Sequence, residues 1–92
     1  MEEHEMSFHK AGRVALHDGA LQVEIDGIGR FSFDDTMLVG ADGKPVGYVL
    51  PSTSGKAVNL HMGAGQLYTV IRTQLLGLAG QRIQKAAVFE VA

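Results

Sequence analysis

Three Asp-Gly pairs, Asp18-Gly19, Asp26-Gly27 and Asp42-Gly43, stand between stretches in which apolar and polar residues alternate. Asp-Gly suits the type I′ hairpin turn, whose two central residues need positive φ, and alternation with period two is the mark of a half-buried strand. A chain punctuated in this way folds as successive antiparallel hairpins, not as a helical bundle or a parallel sheet.

The turns also set registers. A two-residue loop at Asp18-Gly19 places Leu16 opposite Leu21 and Val14 opposite Val23. A three-residue loop at Asp26-Gly27-Ile28 places Ile25 opposite Gly29, Val23 opposite Phe31 and Leu21 opposite Phe33, so three strands agree on one apolar face. Their other face carries Arg13, Glu24 and Arg30 in one row. Glu24 between the arginines neutralises one of them, which argues for cross-strand pairing rather than an anion site. Thr36-Met37-Leu38-Val39 reads as a short buried strand, with one helical turn capped by Asp35 or Thr36 as the alternative, and the Asp42-Gly43 turn brings Val39 to Val46 and Met37 to Tyr48. Pro45, which has no amide to donate, belongs at an edge or at a strand's first residue. A two-residue loop at Gly63-Ala64 sets Leu60 opposite Leu67, Val58 opposite Thr69 and His61 opposite Gln66. The segment Asp42-Gly43-Lys44-Pro45-Val46-Gly47-Tyr48-Val49 resembles the opening hairpin of PRC-barrel domains, and the likeness stops at those eight residues.

Residues 12–46 can be laid over residues 47–83. Gly12 and Val14 then fall on Gly47 and Val49, Val23 and Ile25 on Val58 and Leu60, and Gly27 and Gly29 on Gly63 and Gly65; Thr36, Leu38, Gly40 and Gly43 fall on Thr73, Leu75, Gly77 and Gly80. Nine of 35 aligned positions are identical and five of the nine are glycine, so the apolar matches carry the case for a tandem duplication. Leu67 to Leu78 is ambiguous. Leu67, Ile71, Leu75 and Leu78 have helical spacing, whereas Tyr68, Thr69, Val70, Ile71 and Thr73 favour a strand. Because the matching first-half stretch is short and broken, two strands are expected, at 65–72 and 73–77, with a helix at 66–78 as the alternative. A strand at 82–91 then pairs with the first strand and closes a barrel, or reaches into a neighbouring molecule.

The expected fold is therefore all-β: a small barrel or two-sheet sandwich of about seven to nine short antiparallel strands in a meander, with an internal two-fold repeat. Residues 1–6 read as a polar tail and residues 7–92 as one domain; 92 residues with 46% hydrophobic content support one modest core.

Chemistry is sparse. No cysteine is present, which removes thiolate nucleophiles and cysteine zinc sites, and neither a nucleophile elbow, a zinc-protease motif nor a dinucleotide fingerprint occurs. The loop Pro51 to Lys56 fails as a phosphate cradle because Ala57 follows Lys56 and the second glycine is missing. No catalytic residue, metal site or cofactor is assigned, and an enzyme is disfavoured. Net charge is −2 and the eight Lys and Arg residues are scattered singly, so neither nucleic acid nor membrane is an expected partner. With no apolar run long enough to span a bilayer and no signal peptide, a soluble cytoplasmic protein is expected.

In the repeat alignment the row Arg13, Glu24, Arg30 becomes Tyr48, Asn59, Gln66. A face with Tyr48, Asn59, Gln66 and Tyr68 can be buried without stranding an ion, as an interface core requires. The leading expectation is a non-enzymatic protein-interaction or structural module that self-associates or binds another protein. The alternative is a small-ligand or metal-binding barrel with a site at the hairpin ends, using Asp26, His61, Ser52, Thr53 and Ser54.

Overall fold

The computed structural model describes residues 8–91. Eight strands, β1 (Phe8–His17), β2 (Ala20–Ile25), β3 (Gly29–Asp34), β4 (Met37–Val39), β5 (Pro45–Pro51), β6 (Ala57–Met62), β7 (Leu67–Ile71) and β8 (Lys85–Val91), form a closed antiparallel barrel in meander order. One helix, α1 (Arg72–Ala79), lies between β7 and β8. The barrel closes where β8 pairs with β1, so every strand has a neighbour on both sides and no edge is left open. Closure selects the barrel over the sandwich, and it excludes β8 as an arm reaching into a neighbour.

Alternation sorts the side chains. Val14, Val23, Ile25, Leu38, Leu60, Val70 and Val88 point inward and are at most 2% exposed. An eight-stranded barrel is just wide enough for side chains to fill, and each such residue contributes about 1.5–3 kcal/mol on burial. The expected pairs Leu16–Leu21, Val14–Val23, Ile25–Gly29, Val23–Phe31 and Met37–Tyr48 all occur. Pro45 is the first residue of β5.

Two registers differ from expectation. The β6–β7 connection turns on three residues, Gly63-Ala64-Gly65, closed by the Met62 amide donating to the Gln66 carbonyl (2.9 Å) with Gly65 at φ 87°, so Leu60 faces Tyr68, Val58 faces Val70 and His61 faces Leu67. Val39 faces Pro45, because the β4–β5 ladder is bulged and Val46 is the extra residue. The same irregularity occurs on β1 against β8, where Ala11 is extra between Lys10 and Gly12. Each bulge places its carbonyl to accept an amide from beyond the neighbouring strand: Asp26 donates to Ala11 (2.7 Å) and Gly63 to Val46 (2.9 Å). The residue after each bulge is a glycine in close contact with the next strand. A Cβ on Gly12 would strike the Glu24 carbonyl oxygen, and one on Gly47 the His61 carbonyl oxygen.

The second strand expected at 73–77 is instead part of α1. The β-branched run ends at the boundary, and Arg72, Gln74, Leu75, Leu76, Leu78 and Ala79 are good helix formers. The helix starts later than the alternative at 66–78 because Leu67–Ile71 remain in the sheet. Leu78 is fully buried and Leu75 packs against the core, so α1 covers one end of the barrel. Once β7 has left the ladder, the Ala87 amide donates to the Gln74 side-chain oxygen (3.3 Å), replacing the missing strand partner. Gln81 ends the helix at φ 57°, with Arg82 donating to the Gly77 carbonyl (2.8 Å) and Gln81 to the Leu78 carbonyl (3.0 Å), a Schellman closure. The last strand accordingly begins at Lys85 rather than residue 82. The expectation for residues 1–6 lies outside the described residues.

Candidate interaction surface

Outward positions on the barrel wall divide it into two halves of different chemistry. On β1, β2 and β3 they are Arg13, Ala15, His17, Ala20, Gln22, Glu24, Arg30, Ser32 and Asp34. Arg13 bonds Glu24 at 2.6 Å and Arg30 approaches it at 4.0 Å, so the expected charged row is present. Both ends are well exposed, which limits the pair to about 0–1 kcal/mol. On β5, β6 and β7 the outward residues are Tyr48, Leu50, Ala57, Asn59, His61, Leu67, Thr69 and Ile71, none of them Lys, Arg, Asp or Glu.

The centre of the uncharged half is a stacked pair. Tyr48 faces His61 across β5–β6, with ring centroids 4.7 Å apart and planes 4° from parallel. Tyr48 is 47% exposed and Leu50, next along the strand on the same face, 46%. Met37 extends the patch on one side and Leu67 on the other, while Asn59 pairs with Leu50. Of the interface residues expected from sequence, Tyr48 and Asn59 share this wall. Gln66 sits exposed in the β6–β7 turn. Tyr68 does not share the wall: it points into the barrel and is 2% exposed.

The residue opposite Tyr48 is His61, not the Asn59 of the repeat alignment. The β5–β6 loop is longer than the β1–β2 turn, so the position of Glu24 after the bulge is taken by His61 and that of Val23 by Leu60.

The candidate ligand residues are dispersed. In a closed meander the β2–β3 and β5–β6 connections lie at opposite ends, which separates Asp26 from Ser52, Thr53 and Ser54. His61 is on β6, four strands round the ring from β2, with its ring against Tyr48. The serines hold their own loop together. Ser52 Oγ accepts from the Ala57 amide, Ser54 Oγ accepts from the Lys56 amide, and the two hydroxyls lie 3.2 Å apart. Among the described residues no three His, Asp or Glu side chains gather as metal ligands.

One polar row was missed. His9, Glu90 and Tyr68 are consecutive cross-strand partners on β1, β8 and β7, with Glu90 continuing the inward series Ala86, Val88 to the barrel mouth. Burial, and then the Glu90 charge, push the Tyr68 hydroxyl pKa above its usual value of 10.0. The alternation 86, 88, 90 was the available signal.

A second apolar feature lies where β7, β8 and the start of β1 meet. Phe8, Ala57, Thr69, Ile71 and Phe89 line a groove of about 330 Å³, and Ile71 also borders one of about 420 Å³ shared with Leu76, Lys56 and Arg72. No helix among the described residues is long and apolar enough to cross a membrane. Comparison with protein-family models, with curated proteins and with solved structures finds no match to this chain.

Proposed function

We propose that this barrel is a non-enzymatic protein-interaction module that self-associates through the uncharged wall of β5 and β6, around Tyr48, Leu50 and Asn59. The observation that carries this reading is the exchange, at one ladder position, of the Arg13–Glu24 ion pair for the Tyr48–His61 stack. A two-fold interface sets a patch against itself, so any fixed charge near the axis meets its own like charge. The β5–β6 wall carries none. Burying Tyr48, Leu50 and Met37 against a second copy removes apolar surface from water without stranding an ion, and a small domain with one modest core gains stability from it.

The repeated bulge-glycine pair supports a tandem duplication as the origin of the two walls, with the second copy carrying a longer β5–β6 loop and α1 in place of the β3–β4 turn. On that reading, one copy kept a solvated face while the other became the interface.

Light scattering on the purified chain over a wide concentration range tests the proposal. The expected result is a mass rising toward the dimer with concentration, and Leu50→Lys returns it to the monomer. A wild type that stays monomeric throughout, with no partner in its place, counts against the proposal.

A further inference from the structure

The eight basic residues are scattered in sequence, but the fold gathers several around one apolar trough. Phe8 and Ile71, 52% and 44% exposed, line the 330 Å³ groove with Phe89, and Leu76, 52% exposed, continues it past Ile71. On one flank Lys10 pairs across the ladder with Phe89 and shares a depression of about 250 Å³ with Arg13 and Lys85. On the other flank Lys56 and Arg72 line the groove beside Leu76. Among the described residues no carboxylate lines any of these three depressions. Arg13 is already bonded to Glu24. A chain of net charge −2 thus presents Lys10, Lys85, Lys56 and Arg72 on both banks of this apolar trough.

We propose that this trough binds an acidic peptide segment of a different protein, with apolar side chains seated against Phe8, Ile71, Phe89 and Leu76 and carboxylates facing the two basic banks. Charge complementarity selects the occupant. A second copy docked here on a two-fold axis would bring cations against cations; the trough adjoins the β5–β6 wall, where Asn59 pairs with Thr69, but shares none of Tyr48, Leu50 and Met37 with the self-association patch. Shape selects a peptide over a bilayer, since the apolar residues line concave grooves that receive side chains, whereas a membrane surface is entered by a protruding apolar face. Nucleic acid is disfavoured by the apolar floor, because phosphate binding needs polar and cationic contacts along its length.

Fluorescence anisotropy of the full chain tests this with a labelled peptide alternating aspartate with leucine and phenylalanine, beside the same peptide with asparagine for aspartate. The expected result is saturable, salt-sensitive binding of the aspartate peptide, at least about tenfold tighter than the asparagine control and weakened at least about tenfold by the pair Lys10→Glu and Arg72→Glu. That pair should leave the light-scattering mass unchanged, which separates failure here from failure of self-association. Equal affinity for the two peptides, or none up to millimolar concentration, overturns the proposal. So does binding that appears only after Glu2, Glu3 and Glu5 are changed to Gln, which would assign the trough to the chain's own first residues. Retention on phosphatidylserine vesicles without peptide binding would assign it to an anionic membrane instead.

Discussion

Tyr48 stacks on His61 at 4.7 Å in the place on β5–β6 that the Arg13–Glu24 ion pair occupies on β1–β2. Both pairs are outward and follow a bulge and a glycine, so the backbones beneath them are alike and only the surface chemistry differs. The double substitution Tyr48→Arg with His61→Glu should therefore transplant the ion pair at little cost to the fold. An exposed stack and an exposed salt bridge each contribute on the order of 1 kcal/mol, and urea unfolding at a concentration low enough to keep the wild type monomeric should place the double variant within about 1 kcal/mol of it. Either single substitution should be the more destabilising, because it leaves one residue without its partner.

Gly12 and Gly47 are required for a different reason than the turn glycines. A methyl group at either site meets a carbonyl oxygen of the adjacent strand, and backbone held on both sides by ladder bonds has little room to move. Gly12→Ala and Gly47→Ala should each cost more than about 3 kcal/mol, or prevent folding, as read by urea denaturation or by soluble yield.

Gln81 holds a left-handed conformation at φ 57° to close the Schellman turn after α1. A residue with a Cβ is disfavoured there by roughly 1–2 kcal/mol relative to glycine. Gln81→Gly should raise stability by about 1 kcal/mol, or Tm by about 4–8 °C, in thermal unfolding followed by circular dichroism. A neutral or lower Tm would mean that the closure is not under strain.

Tyr68 gives a pH signature. Its folded pKa is raised above the unfolded value by burial and then by Glu90, so its contribution to stability is fully present below pH 10.0 and is lost as pH rises through the folded pKa. Unfolding free energies measured from about pH 9 upward should fall with pH, and Tyr68→Phe should remove that part of the slope. Glu90→Gln should make the fall smaller, because removing the charge that disfavours the phenolate brings the folded pKa closer to the unfolded one.

Much of the barrel is legible in the residues, and the places where reading fails have specific causes. Asp18-Gly19 and Asp26-Gly27-Ile28 give correct registers because their loop lengths admit one closure. At Gly63-Ala64 the third loop residue, Gly65, belongs to the turn, and one residue of slip changes every facing pair on β6 and β7. The bulges at Ala11 and Val46 have no local signature apart from the glycine that follows. The helix is hidden because the β-branched end of β7 runs directly into it, and α1 has no first-half counterpart. The uncharged wall is legible as a contrast between the halves, but its central pair is not. Aligning Val23 with Val58 puts Asn59 beside Tyr48, whereas the longer β5–β6 loop brings His61 there. The basic trough is invisible in sequence because Lys10, Lys56, Arg72 and Lys85 come from four separate segments.

The measurement closest to the central claim is sedimentation equilibrium of the wild type beside the Tyr48→Arg, His61→Glu double variant, both confirmed as folded. The expected outcome is a wild-type mass approaching twice 9.8 kDa at high concentration and a variant that remains at 9.8 kDa. A wild type fixed at 9.8 kDa, or a variant that associates as strongly as wild type, would contradict an interface on the β5–β6 wall.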